Sequence, residues 1–238
     1  MKCLIVGLGV FGRNLAIHLA QLGAEIVALD RKEDNLSAIK DEVATAAQID
    51  FADSSPLARF PINEMDAVII AIGDDFEASM AFTMRARELG AKRLVCRVLS
   101  PMHGRLLRLL KVERLVVPEE FAARGLAHSL LMRGAVEGID LGCGHALVEA
   151  AVPSVLVGRT ITDLAELFRR HKVRLVTIKR PDKTLLSSLL PDDPDAPVNY
   201  RTLGLPKLDD PFRKDDVLVL FGAEQGLRDF LESEAASG

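Results

Sequence analysis

The sequence predicts an α/β fold: a doubly wound parallel sheet followed by a smaller α+β domain. Three observations carry this. Up to about residue 134, apolar runs of strand length alternate with segments of helical period, the pattern of a parallel sheet covered on both faces. A glycine-rich turn, GLGVFG at 7–12, joins the first apolar run to the first helical segment. From about residue 135 the texture changes to short strands around compact helices. The expected domains are therefore 1–134 and 135–238.

In chain order, KCLIV, EIVALD, a weaker TAAQID, DAVIIAI, RLVCRV and RLVVP read as strands. Between them, Phe11, Leu15, Leu19 and Leu22 fall on one helical face, and FEASMAFTMRARELG reads as a helix ending in a glycine stop. Pro118 and two acids suit a helix start, and Ala123, Leu126, Ala127 and Leu130 form an apolar stripe along the helix that leaves the first domain. The second domain offers strands at HALVEAAV, VRLVTIKR and DDVLVLFG and helices at TITDLAELFRRH and EQGLRDFLES. Residues 190–215, rich in Pro and Asp, read as an extended surface excursion.

Composition narrows the class. The chain has 238 residues, of which 49% are apolar, enough for one large core or two modest ones. A net charge of −4 gives no global attraction for nucleic acid. No uncharged run approaches the roughly 20 apolar residues that span a bilayer, and the N-terminus shows no signal-peptide pattern, so a cytoplasmic location without membrane insertion is expected. Cys3, Cys96 and Cys143 are odd in number and widely spaced, and read as unpaired core thiols in a reducing compartment.

Gly7, Gly9 and Gly12 fit the G-x-G-x-x-G pattern of a Rossmann-like nucleotide site, after a strand and opening a helix. The first glycine permits the tight turn, the second lets backbone approach a pyrophosphate, and the third allows close helix packing. Asp30 closes the second strand, where a carboxylate can accept from ribose hydroxyls and disfavours a 2′-phosphate. Asp53 reads equally as an adenine contact or a turn aspartate. Gly73 ends the fourth strand and allows close backbone approach there. Asp74 and Asp75 after it are either ligand groups or a helix cap and first-turn acid.

Catalytic groups are sparse. Tyr200 is the single tyrosine and Gly204, not lysine, follows four residues later; His18, His103, His128, His145 and His171 read as helix- or strand-terminal or surface residues. No clustered metal-ligand spacing and no G-x-S-x-G nucleophile motif occurs.

At this point VGLGVFG, ALD at 28–30, AIGDDFEAS at 71–79, RVLSPMHGRLL, VVPEE, VGRTITDL, VRLVTIKR and DDVLVLFGAEQGLRDF together resemble the RCK (regulator of K⁺ conductance) proteins of the TrkA/KtrA type, over nearly the whole chain. The resemblance implies a cytoplasmic, non-enzymatic regulatory subunit of a potassium uptake system. It would lie peripherally on the inner face of the membrane through a TrkH/KtrB-type potassium-transporting subunit, as homodimers assembled into an octameric ring. It implies an adenine nucleotide, NAD(H) or ATP/ADP/AMP, bound by Gly7, Gly9, Val10, Phe11, Gly12, Asp30, Arg31, Asp53, Ile72, Gly73 and Arg97. Glu119 stands where some members place an acid that helps hold a cation near the phosphates. Many ATP-responsive members carry Arg where this chain has Val10, which shifts the expectation toward NAD(H), ADP or AMP. The rival readings are an NAD-dependent oxidoreductase and a regulator of another cation transporter, such as a Na⁺/H⁺ antiporter or a divalent-cation channel.

Overall fold

Six short strands, β1 (Lys2–Val6), β2 (Glu25–Asp30), β3 (Thr45–Gln48), β4 (Ala67–Ile70), β5 (Leu94–Arg97) and β6 (Arg114–Val116), form a sheet in the order β3-β2-β1-β4-β5-β6. Every pairing in it is parallel. This is the doubly wound arrangement expected from the sequence. The computed structural model describes residues 1–131, 135–182 and 199–235. The chain divides into two compact units, Met1–Glu119 and Glu120–Gly238.

The strands are apolar on both sides because both faces of the sheet are covered. In β1, Leu4 and Val6 enter a core with Phe82 of α3 (Phe76–Glu88) and Leu107 of α4 (Pro101–Leu109). The alternate residues Cys3 and Ile5 enter a second core with Ala16 of α1 (Val10–Gln21) and Leu36 of α2 (Glu33–Ser37). A period of two in β1 thus feeds two separate cores. Phe82 is fully buried, a contribution of about 1.5–3 kcal/mol from the side chain alone.

Of the predicted α1 face, Phe11, Leu15 and Leu19 pack partly against the second core, whereas Leu22 is 84% exposed. Leu22 sits at the C-cap, where the chain turns through Gly23 at φ 86° into β2, and so leaves the stripe. Asp75 caps α3 by accepting from Ala78 N–H at 2.9 Å, and Ser100 caps α4 by accepting from His103 N–H at 3.2 Å. His103 is fully buried within that first turn, deeper than the surface or helix-end position expected.

The second unit carries an antiparallel sheet in the order β10-β9-β11-β8-β7, built from β7 (Ala135–Gly142), β8 (His145–Ala151), β9 (Arg174–Pro181), β10 (Tyr200–Thr202) and β11 (Val217–Ala223). Helices α6 (Ala165–His171) and α7 (Glu224–Ala235) cover one face through Phe168 and Phe230, whose rings stack at 5.3 Å. This is the smaller α+β domain.

Helix α5 (Pro118–Leu131) begins at the end of the first unit and continues into the second. The expected boundary at 134/135 counts the helix with the first domain. The compact units divide within its first turn, after Glu119, and the rest of the helix goes with the second unit, where Arg124 faces Asp140 at 3.5 Å and Gly125 packs on the Gly138 carbonyl. On its apolar stripe, Leu126 and Leu130 are 60% and 77% exposed.

Two further readings are corrected. Residues 183–198, including the start of the expected excursion, lie outside the described residues. The remainder is largely exposed, with Leu205 at 92%, but it is fastened at two points. Tyr200–Thr202 pairs with β9, and Phe212 is 1% exposed in the core. Cys3 and Cys96 are buried thiols, but Cys143 is exposed. It occupies a left-handed position, φ 54°, in the β7–β8 turn between Gly142 and Gly144.

Candidate nucleotide site

The sheet order reverses direction between β1 and β4, and a cleft of about 240 Å³ opens at their carboxyl ends. It is built first by the glycines. Gly7 has φ 94°, and a Cβ there would sit 2.8 Å from the backbone N of Ile72. A Cβ on Gly12 would collide with the Gly7 carbonyl. Gly9 has nothing within 4 Å of where a Cβ would lie, so its exposed surface faces open space. It is also the N-cap of α1, with no side-chain cap and no acid in the first turn. The free N–H groups of that turn, together with the helix dipole, favour an anion.

Asp30 is 3% exposed and forms part of the cleft wall. Its Oδ2 accepts from Leu8 N–H at 2.5 Å, and its Oδ1 accepts from Lys32 N–H at 2.8 Å and Asn35 Nδ2 at 3.1 Å. The carboxylate therefore fixes the glycine loop from the end of the neighbouring strand, and one of its roughly four acceptor positions remains for a ribose hydroxyl. Arg31 follows. Its guanidinium donates to Asp74 Oδ2 at 2.8 Å and lies 5.5 Å from the centre of the Phe51 ring.

On the opposite side, Arg97 ends β5 with its side chain 18% exposed. Its guanidinium passes over Gly73, where a Cβ would come within 2.5 Å of Nη1. The close approach at Gly73 is thus made by Arg97. Arg97 Nη2 donates to Glu119 Oε1, and Nε is buried with no partner. Glu119 is 64% exposed in the first turn of α5. Its own backbone N–H, and then Arg97, hold its carboxyl below the usual range.

The cleft brings together Gly7, Gly9, Asp30, Arg31, Ile72, Gly73 and Arg97 of the expected set. It does not include the others. Val10 is 75% exposed on α1, Phe11 packs into the second core, and Gly12 serves helix packing. Asp53 accepts from Ser55 N–H at 2.8 Å, as a turn aspartate does. The Ser55 side chain, and then its backbone N–H, pull the Asp53 carboxyl below the ordinary value. Asp75 is the helix cap, whereas Asp74 lines the cleft. Sequence reasoning missed Lys32, Asn35, Phe51 and Ala71. The signal was partial, since Asn35 lies in the first turn of the helix that follows Asp30 and Phe51 stands two residues before Asp53. Among the described residues, no group of three His, Cys, Asp or Glu converges to hold a metal ion.

The lining sets three cations, Arg31, Lys32 and Arg97, against two carboxylates, with open backbone at Gly9. Such a surface suits a phosphate-bearing ligand with a ribose toward Asp30. The TrkA-N domain family matches residues 3–118, which holds every residue of this cleft. The Ktr system potassium uptake protein A of Vibrio alginolyticus is 30% identical over 176 residues, 74% of this chain and 80% of that protein. The chain belongs to the TrkA/Ktr family. The Ktr system potassium uptake protein C of Bacillus subtilis is 29% identical over 78% of this chain and 83% of its own length. In fold, this TrkA/Ktr protein is similar to the crystal structure of the GsuK RCK domain, with a TM-score of 0.58 and 17% identity. It is also similar to the GsuK channel bound to NAD, at the same score and identity. Both likenesses cover 97% of this chain but only 47% and 39% of those chains, so the chain spans less than half their length. Among the described residues, no helix is long and apolar enough to cross a membrane.

Proposed function

We propose that this chain is the nucleotide-binding regulatory subunit of a potassium uptake system, and that the cleft holds its nucleotide as a reporter, not a reagent. The observation that carries the reading is the open α1 N-terminus at Gly9 facing the cationic guanidinium of Arg97 across a TrkA-N cleft. The ligand is an adenine nucleotide. The NAD-bound GsuK channel supports a dinucleotide, and the absence of a cation at Val10 supports NAD(H), ADP or AMP over ATP. Asp30, Asn35 and Phe51 would meet the ribose and adenine, with the α1 N-terminus and Arg97 on phosphate. Glu119 is the group we assign to a cation near the phosphates.

The related proteins are potassium uptake proteins by name, which supports a regulatory and non-enzymatic role. The partner on this reading is a TrkH/KtrB-type membrane subunit, reached from the cytoplasm. The exposed Leu126 and Leu130 of α5 support a homodimer docked through that helix, with dimers closing into an octameric ring. In that assembly α5 works with the nucleotide-binding domain, as the boundary at 134/135 has it. Gating then follows by linkage. The nucleotide binds one ring conformation more tightly than another, with coupling of about 1–3 kcal/mol.

The experiment is potassium uptake in a strain lacking the chain. Uptake should fall, and return with the wild-type chain but not with a Gly9→Glu variant, whose carboxylate sits where phosphate binds. Normal uptake without the chain contradicts the assignment and favours another cation transporter.

A further inference from the structure

Resting on the reading that the cleft takes a nucleotide, we propose that the Arg97–Glu119 ion pair is an autoinhibitory contact. Glu119 occupies the guanidinium that a nucleotide phosphate needs, so phosphate binding and release of the first turn of α5 are a single exchange.

The two partners are unequal. Arg97 is held: its side chain is 18% exposed, it projects from the end of a paired strand, and it lies against Gly73 with no room for even a Cβ between them. Glu119 is 64% exposed, so its carboxylate can return to water at little cost. When an anion competes for this guanidinium, Glu119 is the group that leaves.

The guanidinium also has unused capacity on its inner side. Of its five N–H donors, the one on Nε is buried and unpartnered while Nη2 is committed to Glu119. A phosphate entering from the cleft offers acceptors to more than one of these donors and carries more charge than a carboxylate.

The position of Glu119 gives the exchange a consequence. It follows Pro118 at the start of α5, and the chain passes from the first compact unit to the second between Glu119 and Glu120. Arg97 anchors that junction through one side chain. The Arg31–Asp74 pair at the cleft has no such reach, since both of its members belong to loops of the first unit.

The test is calorimetric titration of the full chain with ADP and with adenosine in the presence of a chelator, so that no divalent cation contributes. Glu119→Gln should bind ADP about fivefold more tightly than wild type, the effect of removing one half-exposed charged competitor, and should bind adenosine unchanged. Arg97→Gln should abolish the advantage of ADP over adenosine, and Glu119→Gln added to it should have no further effect. If wild type binds ADP but Glu119→Gln binds it equally or less well, the autoinhibitory contact is wrong while the nucleotide site stands. If wild type binds neither ADP nor any other adenine nucleotide, the nucleotide reading itself fails and the proposal falls with it.

Discussion

Asp30 accepts a 2.5 Å hydrogen bond from the backbone N–H of Leu8, so the acid that ends one strand holds the glycine loop that ends its neighbour. Its second oxygen takes Lys32 N–H and Asn35. Replacing it leaves the buried Leu8 N–H and two part-buried donors without an acceptor. Asp30→Ala is therefore expected to cost about 1–3 kcal/mol of stability in addition to nucleotide affinity. Urea denaturation beside a binding titration separates the two. Unchanged stability with lost affinity would assign Asp30 to the ligand alone.

The three glycines differ in what they carry. Gly9 has an ordinary backbone, φ −59°, and open space around it, so Gly9→Ala should leave stability within about 0.5 kcal/mol and weaken nucleotide binding. Gly12→Ala drives a Cβ into the Gly7 carbonyl and should destabilise by about 1–3 kcal/mol whether or not a nucleotide is present. Thermal melts of both variants with and without nucleotide decide this. A destabilised Gly9→Ala beside a silent Gly12→Ala reverses the assignment.

In the second unit, Arg180 and Asp216 form a buried bidentate pair, at 2.7 and 2.8 Å, with side chains 7% and 0% exposed. Asp210 and the backbone N–H of Arg213 complete the cluster. Asp216→Ala takes the carboxylate from Nε and Nη2 of the guanidinium, leaving it Asp210, and is expected to cost about 3 kcal/mol. The exposed neighbour Asp215, changed to Ala, serves as control and should stay within about 0.5 kcal/mol. Denaturant midpoints of the two variants give the comparison, and equal midpoints would remove the pair from the account.

His103 is fully buried, with Nδ1 accepting from Leu99 N–H at 3.2 Å and Nε2 without a partner. Burial holds its pKa below the ordinary 6.5. The unfolded chain then takes up a proton near pH 6.5 that the folded chain takes up only at lower pH. Stability is retained above pH 6.5 and falls as pH drops below it. Unfolding free energies at pH 7.5 and 5.5 should fall further for wild type than for His103→Gln. Parallel losses in the two proteins would place the pH dependence elsewhere.

What could be read from the sequence was local. The central strands of the parallel sheet announce themselves because β1, β2 and β4 are apolar runs closed by Gly7, Asp30 and Gly73, and Gly7, Gly9 and Asp30 stand at the strand ends where chemistry puts them. What could not be read depends on distant partners. Arg180 and Asp216 are 36 residues apart, and without their pairing the Pro- and Asp-rich stretch looks like free loop although Phe212 anchors it in the core. Asp53 and Asp74 are equally plausible ligands in sequence. Only the turn to Ser55 and the bridge to Arg31 separate them. Val10 and Phe11 lie inside the motif yet point to solvent and core, because a helix start turns successive side chains by about 100°.

The central claim is that the cleft binds a nucleotide without consuming it. The most direct measurement is calorimetric titration of the nucleotide-free chain with ATP, ADP, AMP, NAD⁺ and NADH, with absorbance followed for loss of NADH. The account predicts saturable binding that Gly9→Glu abolishes, with NADH unchanged over the experiment. Steady oxidation of NADH, or no binding by any of the five, would contradict it.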